Sequence, residues 1–267
     1  MEQQKNNFKI VAEKRNVRML LPNMLTLIGV CIGLTSIRFA LSGEFHLSII
    51  AIIFAALIDG LDGRIARLIK GTSKVGKELD SLTDMISFGV APAFIMYFWI
   101  MNTLGRFGWL LCLIYVICVA LRLARFNINS NQELSWRDNF FEGVPSPAGG
   151  ILVLTPLIIS LSGFDYIELN YNIITPVFFI GTSFLLISKF PSYSFKKIII
   201  QRKATIFLLF SIVLFFGLLL IYTFEVIAIS SIIYLTLLPI SFLHYQKKEK
   251  IHKNDTNQDD DEFEDVL

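Results

Sequence analysis

The chain has 267 residues, of which 54% are hydrophobic and only 17% are charged, and its mean hydropathy is +0.61. These values exclude an ordinary soluble domain and indicate a protein that crosses the membrane several times. The net charge of +2 belongs to basic residues that gather on one side of the apolar segments, which is not the pattern of a nucleic-acid-binding protein.

Eight apolar stretches are long enough to cross a bilayer as helices, for which about 17–25 residues are needed. They lie near residues 24–42, 47–68, 80–102, 107–126, 147–163, 171–188, 204–222 and 225–245. We therefore predict an all-α fold, a polytopic membrane helical bundle of about eight transmembrane helices. The three cysteines, Cys31, Cys112 and Cys118, fall inside these stretches without disulfide or metal-site spacing, and we expect them to be packing residues.

The two ends of the chain differ from the apolar middle. Residues 8–21 mix apolar and basic positions, a pattern typical of a helix on the membrane surface, although a frayed basic leader is the alternative. We assign residues 1–21 to a cytoplasmic amphipathic segment, 22–246 to one transmembrane domain and 247–267 to a cytoplasmic tail that we expect to be disordered. No cleavage-site pattern follows the first span, so a removable signal peptide is not expected.

The positions of lysine and arginine predict the orientation, because short loops rich in these residues stay in the cytoplasm. With the N-terminus inside, 22 of the 24 basic residues lie at the cytoplasmic face, and only Arg38 and Arg106 lie near the outer face. The sequence therefore predicts a multi-pass protein of the cell (inner) membrane with both termini cytoplasmic.

Four aspartates stand at fixed spacing around the connection between the second and third spans. The frame reads Asp59-x-x-Asp62-Gly63-x-x-Ala66-Arg67 and, after eight residues, Gly76-x-x-x-Asp80-x-x-x-Asp84. With about 100° of rotation per residue, each half places its aspartates and small residues on one helix stripe. We therefore expect four carboxylates to face one another at the cytoplasmic side.

Carboxylates at membrane depth cost about 2.5–3.5 kcal/mol each on insertion scales, so they need compensating cations. Pairing with Arg64 or Arg67 is one alternative, but a salt-bridge patch requires no regular spacing on two helices. Hard divalent cations such as Mg²⁺ or Mn²⁺ prefer oxygen ligands and leave positions open for phosphate. Gly63 and Ala66 would admit a bulky ligand, and Arg67 and Ser73 would donate to it. The pattern predicts two metals and phosphoryl-type transfer from a nucleotide.

At every defining position this aspartate frame resembles the signature of the CDP-alcohol phosphatidyltransferase family. The resemblance implies a six-helix catalytic core, a cytoplasm-facing cavity, two divalent ions (Mg²⁺ or Mn²⁺), a homodimer, and displacement of CMP from a CDP-linked lipid by an alcohol. It implies four metal ligands, of which the last is also the catalytic base: Asp59, Asp62, Asp80 and Asp84. It implies contacts with CDP-diacylglycerol from Pro22, Asn23, Thr26, Asp59, Gly63, Ala66, Arg67 and Ser73.

Two further segments bear on the acceptor alcohol: Arg122-Leu-Ala-Arg125-Phe126-Asn127 ends the fourth span, and Gly143-Val-Pro145-Ser146-Pro147-Ala148 opens the fifth. Arginines three residues apart share a helix face and could bind a carboxylate, while Asn127 could accept from an ammonium group. With residues 87–92, these segments resemble the phosphatidylserine synthase branch of the family, which implies L-serine as the acceptor. We expect the serine-binding residues to be Arg122, Arg125 and Asn127.

Other interpretations stay open from the sequence alone. The acceptor could be a phosphorylated alcohol such as glycerol 3-phosphate, and Arg122 and Arg125 could merely anchor the cytoplasmic face. A metal-ion transporter also carries intramembrane aspartates, but it should have polar residues in the outer halves of its spans, which are apolar here. A non-catalytic scaffold has no need of four aspartates, and the scattered histidines suggest no catalytic histidine.

Overall fold

The computed structural model describes residues 14–69, 73–129, 140–163, 170–188, 191–193 and 202–242. Its α-helices are α1 (Lys14–Leu41), α2 (Phe45–Leu68), α3 (Lys74–Asp84), α4 (Ala91–Trp99), α5 (Arg106–Asn129), α6 (Ser146–Leu161), α7 (Tyr171–Ile187), α8 (Arg202–Ile221) and α9 (Thr223–Phe242). A π-helical segment, Met85–Val90, joins α3 to α4, and a short 3₁₀ helix, Met101–Leu104, precedes α5. Two strands, β1 (Phe140–Glu142) and β2 (Pro191–Tyr193), pair antiparallel.

The helices confirm the predicted membrane architecture. Each of the eight predicted spans coincides with a helix, although the last was predicted to reach residue 245, beyond the described residues. Among the described residues, five stretches are long and apolar enough to cross a membrane: Leu21–Leu41, Phe45–Leu68, Val75–Trp99, Arg106–Ile128 and Thr223–Phe242. The other three are shorter apolar helices: Ser146–Leu161, Tyr171–Ile187 and Thr205–Ile221. The protein is therefore an all-α integral membrane protein, to which the three-residue β1–β2 ribbon is the one addition in the described chain.

The first helix is longer than the first predicted span. α1 begins at Lys14 and continues to Leu41 with Pro22 inside it. Residues 14–21 of the predicted surface segment thus belong to the same helix as the first span. Residues 1–13 and the predicted tail, 247–267, lie outside the described residues, so the division of the chain into three parts remains a prediction.

The first six predicted spans form the central bundle, in agreement with the six-helix core that the family resemblance implied. α1 packs along α2 and also contacts α3, the π-helical segment and α4, while α6 contacts α2, α4, α5 and α7. Apolar side chains fill the centre, among them the fully buried Phe88, Tyr115 and Phe179. By contrast, every described side chain of α8 from Thr205 to Leu218 is exposed. Such an apolar exposed surface is what a lipid-facing helix presents.

The π-helical segment fixes the end of α3, which carries Asp84. Its residue Phe88 is buried, and the Tyr115 hydroxyl donates a hydrogen bond of 2.7 Å to the Phe88 carbonyl oxygen. α6 comes close at Gly150, where an added Cβ would lie 3.3 Å from the Phe88 Cα. π-Helical turns often occur at functional sites because they shift side chains relative to the surrounding α-helix. Here the turn follows directly after the last aspartate of the frame.

Candidate active site

Three of the predicted carboxylates meet where α2 and α3 face each other. Asp59 and Asp62 lie in the second half of α2 and Asp80 lies in α3, and one carboxylate oxygen from each lies within 4.8 Å of the others. Asp62 is 3% exposed, and Asp59 and Asp80 are half-buried. Like charges at this distance and burial repel one another, so the arrangement is stable only with protons or a cation among them.

Asp84 stands at the edge of this cluster, and its carboxyl group lies close enough to that of Asp59 for the two to interact electrostatically. The hydroxyl of Ser146 donates to Asp84 Oδ2 at 2.6 Å. The second oxygen, Oδ1, is buried and has no hydrogen-bond donor among the described residues. A buried carboxylate oxygen without a donor costs free energy unless a ligand or ion occupies the space beside it.

The donor set fits a divalent metal ion. All four candidate ligands are carboxylates, which Mg²⁺ and Mn²⁺ prefer over nitrogen or sulfur ligands. Oδ1 of Asp84 is a further buried acceptor for which the described residues supply no hydrogen-bond donor. The aspartate cluster, defined here as Asp59, Asp62, Asp80 and Asp84, is therefore a site that can hold a divalent cation.

A cavity of about 470 Å³ opens beside the aspartate cluster between α1, α2 and α3. Asp62 and Asp80 line it, together with six of the eight residues predicted to contact CDP-diacylglycerol: Pro22, Asn23, Thr26, Gly63, Ala66 and Ser73. The volume lies within the range of small-molecule sites. The cavity therefore offers a ligand space in direct contact with the carboxylates.

The other two predicted contacts, Asp59 and Arg67, do not line this cavity. Asp59 belongs to the carboxylate cluster itself. Arg67 is exposed, and its Nε donates to the Gly63 carbonyl oxygen of its own helix at 3.0 Å. A long, exposed arginine can change rotamer, so the role of Arg67 as a phosphate donor remains a prediction.

The small residues around the cavity have two different functions. An added Cβ at Gly63 would meet no described atom within 4 Å, so the missing side chain leaves space that a ligand can fill. At Gly76 the added Cβ would lie 2.9 Å from Asn23 Oδ1, so that glycine lets α1 approach α3. Ser73 caps α3 by accepting a hydrogen bond of 2.9 Å from the Gly76 backbone N–H.

Thr26 connects α1 to the aspartate cluster. Its hydroxyl lies 2.7 Å from Asp62 Oδ2, to which it donates, with the Pro22 carbonyl oxygen 2.9 Å away as a second acceptor. Thr26 is 5% exposed. Because its one proton serves a buried carboxylate, Thr26 orients Asp62 as well as lining the cavity.

The residues predicted to bind serine contact three different elements. Arg122 is buried, and it donates from Nε to the Val144 carbonyl oxygen and from Nη1 to Ser146 Oγ at 3.3 Å. Arg125 donates to the Leu186 carbonyl oxygen at 3.4 Å, and Asn127 Nδ2 donates to Ser81 Oγ at 2.9 Å. Arg122 is joined through Ser146 to Asp84, whereas these hydrogen bonds of Arg125 and Asn127 go to α7 and α3.

Two residues of the site with polar side chains were not among the predicted ones. Ser146 links Asp84 to Arg122, and its position in the Pro-Ser-Pro start of α6 was the available signal. Lys77 lines the cavity, three residues before Asp80 on the same face of α3. The sequence shows no feature that distinguishes Lys77 from a lysine that only marks the cytoplasmic side.

Gly143 explains how Val144 and Ser146 come to face Arg122. Its φ is +78°, a conformation that residues with a Cβ rarely adopt, and an added Cβ would lie 2.9 Å from the Ser188 carbonyl oxygen. The chain therefore turns sharply between β1 and α6. Pro145 and Pro147 then begin α6 with fixed φ angles.

The fold and the site define a class of protein: an integral membrane protein with a ligand cavity beside a carboxylate cluster that can hold a divalent ion. Residues 19–187 match the family model of the CDP-alcohol phosphatidyltransferases. The chain belongs to this family. The match ends with α7, so α8 and α9 lie outside the family-matched part.

Similar proteins carry the name CDP-diacylglycerol–serine O-phosphatidyltransferase. The chain is 41% identical over 175 residues to the one from Mycobacterium leprae, covering 64% of this chain and 57% of that protein. It is 33% identical over 235 residues to the one from Helicobacter pylori strain 26695, covering 88% and 96%. It is 32% identical over 178 residues to the one from Bacillus subtilis, covering 66% and 92%. The chain thus spans less than two thirds of the mycobacterial relative and nearly all of the Helicobacter one.

Proposed function

We propose that this protein transfers the phosphatidyl group of CDP-diacylglycerol to the hydroxyl of L-serine, giving phosphatidylserine and CMP. The observation that carries the proposal is the series of hydrogen bonds from Asp84 through Ser146 to Arg122. This series joins the aspartate cluster to the buried guanidinium group of Arg122. The similarity over 88% of the chain to the Helicobacter protein of that name supports the same acceptor.

The two sides of the aspartate cluster suit the two substrates. The cavity beside Asp62 and Asp80 takes the CDP part of the donor, with Gly63 and Ala66 leaving space for it and Asn23 and Ser73 offering polar groups. On the other side, Arg122 offers a guanidinium group that can pair with the serine carboxylate. The diphosphate of the donor then lies between the two sides.

Asp84 is the group that takes the proton of the acceptor. The serine hydroxyl is a weak nucleophile until a base removes its proton. The serine oxygen forms a bond to the phosphorus that carries the diacylglycerol, and the bond from that phosphorus to the CMP oxygen breaks. The proton of the serine hydroxyl goes to Asp84. Ser146 holds Asp84 Oδ2, which leaves Oδ1 for the incoming hydroxyl.

The aspartate cluster would hold two divalent ions, Mg²⁺ or Mn²⁺, from the carboxylates of Asp59, Asp62, Asp80 and Asp84. When bound, these ions neutralise the diphosphate and stabilise the charge that develops on the departing CMP. Thr26 keeps Asp62 oriented for this purpose by its 2.7 Å hydrogen bond.

The cluster faces the cytoplasm of the cell, with both termini on the same side. The 22 of 24 basic residues on that side support this orientation, and water-soluble L-serine and CMP are then exchanged with the cytoplasm. Protease removal of a C-terminal tag in inverted but not in right-side-out membrane vesicles would support it, and the reverse result would contradict it. The homodimer implied by the family resemblance stays a prediction, which the mass of the solubilised enzyme tests.

The deciding experiment measures CMP release by the purified enzyme in detergent micelles that contain CDP-diacylglycerol. We expect release with L-serine and either Mn²⁺ or Mg²⁺, formation of phosphatidylserine in equal amount, and no release after chelation. Glycerol 3-phosphate and free inositol serve as competing acceptors. Use of glycerol 3-phosphate in place of L-serine would contradict L-serine as the acceptor. It would not contradict phosphatidyl transfer from CDP-diacylglycerol.

A further inference from the structure

A second cavity, of about 350 Å³, lies between α2, α6, α8 and α9. Nine of its twelve lining side chains carry no polar atom, and the other three are Ser230, Ser231 and Tyr234. It shares no lining residue with the cavity beside the aspartate cluster. We call it the apolar pocket.

The two serines that line the apolar pocket do not make it a polar site. Ser230 Oγ donates to the Val226 carbonyl oxygen at 2.6 Å, and Ser231 Oγ donates to the Ile227 carbonyl oxygen at 2.9 Å. Both hydroxyl protons are therefore used within α9, and no lining residue is charged. A cavity of this size, lined mainly by apolar side chains, suits an alkyl group better than a polar ligand.

Two helices that line the apolar pocket, α2 and α6, also carry residues that belong to the aspartate cluster or contact it. On α2, the pocket residue Ala56 lies one helical turn before Asp59. On α6, the pocket residue Ala148 lies two residues after Ser146, which donates to Asp84. One end of the pocket therefore lies within about one helical turn, along the axes of α2 and α6, of Asp59 and Ser146.

From there the pocket extends away from the cluster toward the interior of the membrane. On α9 it is lined from Tyr234 back to Ile227, a distance of about 10 Å along the helix axis at 1.5 Å per residue. Two lining residues, Leu57 and Phe215, are exposed, so the pocket is open to the surrounding lipid along that edge. A chain that follows this path would start at the reacting phosphate and end in the bilayer.

We propose that the apolar pocket binds one acyl chain of the CDP-diacylglycerol donor, and that Leu219 of α8 with Ile227 of α9 form a wall that only the far part of a long chain reaches. The inference rests on the proposed function, since the donor is the lipid whose chains must begin beside the aspartate cluster. α8 and α9 lie beyond the family-matched residues 19–187, so this wall is an addition to the family core.

The test narrows the pocket by substitution at one of two adjacent leucines. Leu219 is half-buried and lines the pocket, whereas Leu220 is 81% exposed and does not. Leu219→Trp, with Leu220→Trp as the matched control, is assayed with dioctanoyl and dioleoyl CDP-diacylglycerol in the same micelles. Donor binding is measured without an acceptor, as thermal stabilisation, and CMP release with L-serine is measured separately.

We expect Leu219→Trp to raise the half-saturating concentration of the dioleoyl donor about tenfold and to leave that of the dioctanoyl donor nearly unchanged, because misfitting methylenes in an apolar pocket weaken binding by such factors. Leu220→Trp should affect neither donor. The enlarging variant Leu219→Ala should bind the longer donor at least as well as the unaltered enzyme does.

The inference is overturned if Leu219→Trp weakens the binding of both donors equally. It is also overturned if Leu220→Trp weakens the binding of the dioleoyl donor as much as Leu219→Trp does. A loss of thermal stability without any chain-length dependence means that a structural bilayer lipid occupies the pocket, and also overturns it. An enzyme that binds both donors but releases no CMP with L-serine contradicts the proposed function instead, while the binding measurements still decide the occupant of the pocket.

Discussion

Ser146 Oγ donates a hydrogen bond of 2.6 Å to Asp84 Oδ2, and the same hydroxyl accepts from Arg122 Nη1 at 3.3 Å. One small side chain at the start of α6 thus holds the proposed base and the proposed carboxylate-binding arginine in a fixed relation. Ser146 is 2% exposed, so water does not substitute for it in the described structure. This contact makes α6 part of the site.

Ser146→Ala should lower kcat by about tenfold to a hundredfold, because the lost hydrogen bond leaves a buried carboxylate oxygen unpaired at a cost of about 1–3 kcal/mol. The rate of CMP release at saturating CDP-diacylglycerol and L-serine measures kcat. Ser160→Ala is the matched control, since within the described part of the chain the Ser160 hydroxyl bonds only to the Leu157 carbonyl oxygen of its own helix. An unchanged kcat in Ser146→Ala would remove Ser146 from the site.

Asp84→Asn should lower kcat by at least a hundredfold, which is the usual contribution of a positioned general base. The amide keeps the size and one oxygen of the carboxyl group, so the cavity beside Asp62 and Asp80 should still bind the donor. Thermal stabilisation by CDP-diacylglycerol checks this second expectation. If the variant no longer binds the donor, Asp84 serves chiefly as a metal ligand and not as the base.

Divalent ions should stabilise the chelator-treated enzyme, because they relieve repulsion within the aspartate cluster. At an Mn²⁺ concentration a hundred times the Kd, the gain in unfolding free energy should be about 2.7 kcal/mol. Asp80→Asn should lose most of this gain, whereas Glu44→Gln, a change at an exposed carboxylate between α1 and α2, should keep it. Equal stabilisation of the enzyme and Asp80→Asn by Mn²⁺ would argue against the site.

Gly63→Leu should prevent donor binding without unfolding the protein. The new side chain would enter the cavity, where an added Cβ meets no described atom within 4 Å, and leucine favours a helix over glycine by about 1 kcal/mol. Gly181→Leu on α7 is the control, because a Cβ there also meets no described atom within 4 Å. Thermal stabilisation by CDP-diacylglycerol distinguishes them, and normal binding by Gly63→Leu would place the donor elsewhere.

Arg122→Ala should raise the half-saturating concentration of L-serine by about tenfold to a hundredfold, since a hydrogen bond to a charged group contributes about 1.5–3 kcal/mol. The requirement for CDP-diacylglycerol should change much less. Arg125→Ala, in which the lost side chain bonds to the Leu186 carbonyl instead, should have the smaller effect on L-serine. If both variants change the two substrate requirements equally, the arginines have a structural role.

The membrane spans and the family were predictable because both depend on local patterns. Apolar stretches of membrane length have no other stable environment, so all eight predicted spans appear as helices. The aspartate frame combines two helical stripes, and helix geometry alone brings Asp59 and Asp62 to one face. α1 packs against both α2 and α3, and this tertiary arrangement brings a carboxylate oxygen of Asp80 within 4.8 Å of those of Asp59 and Asp62.

The acceptor side was less predictable because it depends on contacts between distant segments. The three-residue spacing of Arg122 and Arg125 predicts that they share a helix face. Their guanidinium groups nevertheless bond to different segments, at Ser146 and Leu186. The pairing of Ser146 with Asp84 spans 62 residues, and no spacing rule relates the two. The apolar pocket likewise needs four helices at once, two of them outside the family-matched residues.

By itself, the sequence determined that this is a polytopic helical membrane protein, that it carries an aspartate frame, and that its basic residues gather at one face. These properties follow from hydropathy and helical periodicity, which act over a few turns. Only the tertiary structure decided which side chain holds Asp84, which arginine lies behind it, and where an acyl chain has space. Those relations depend on side chains that meet across helices, and packing alone determines them.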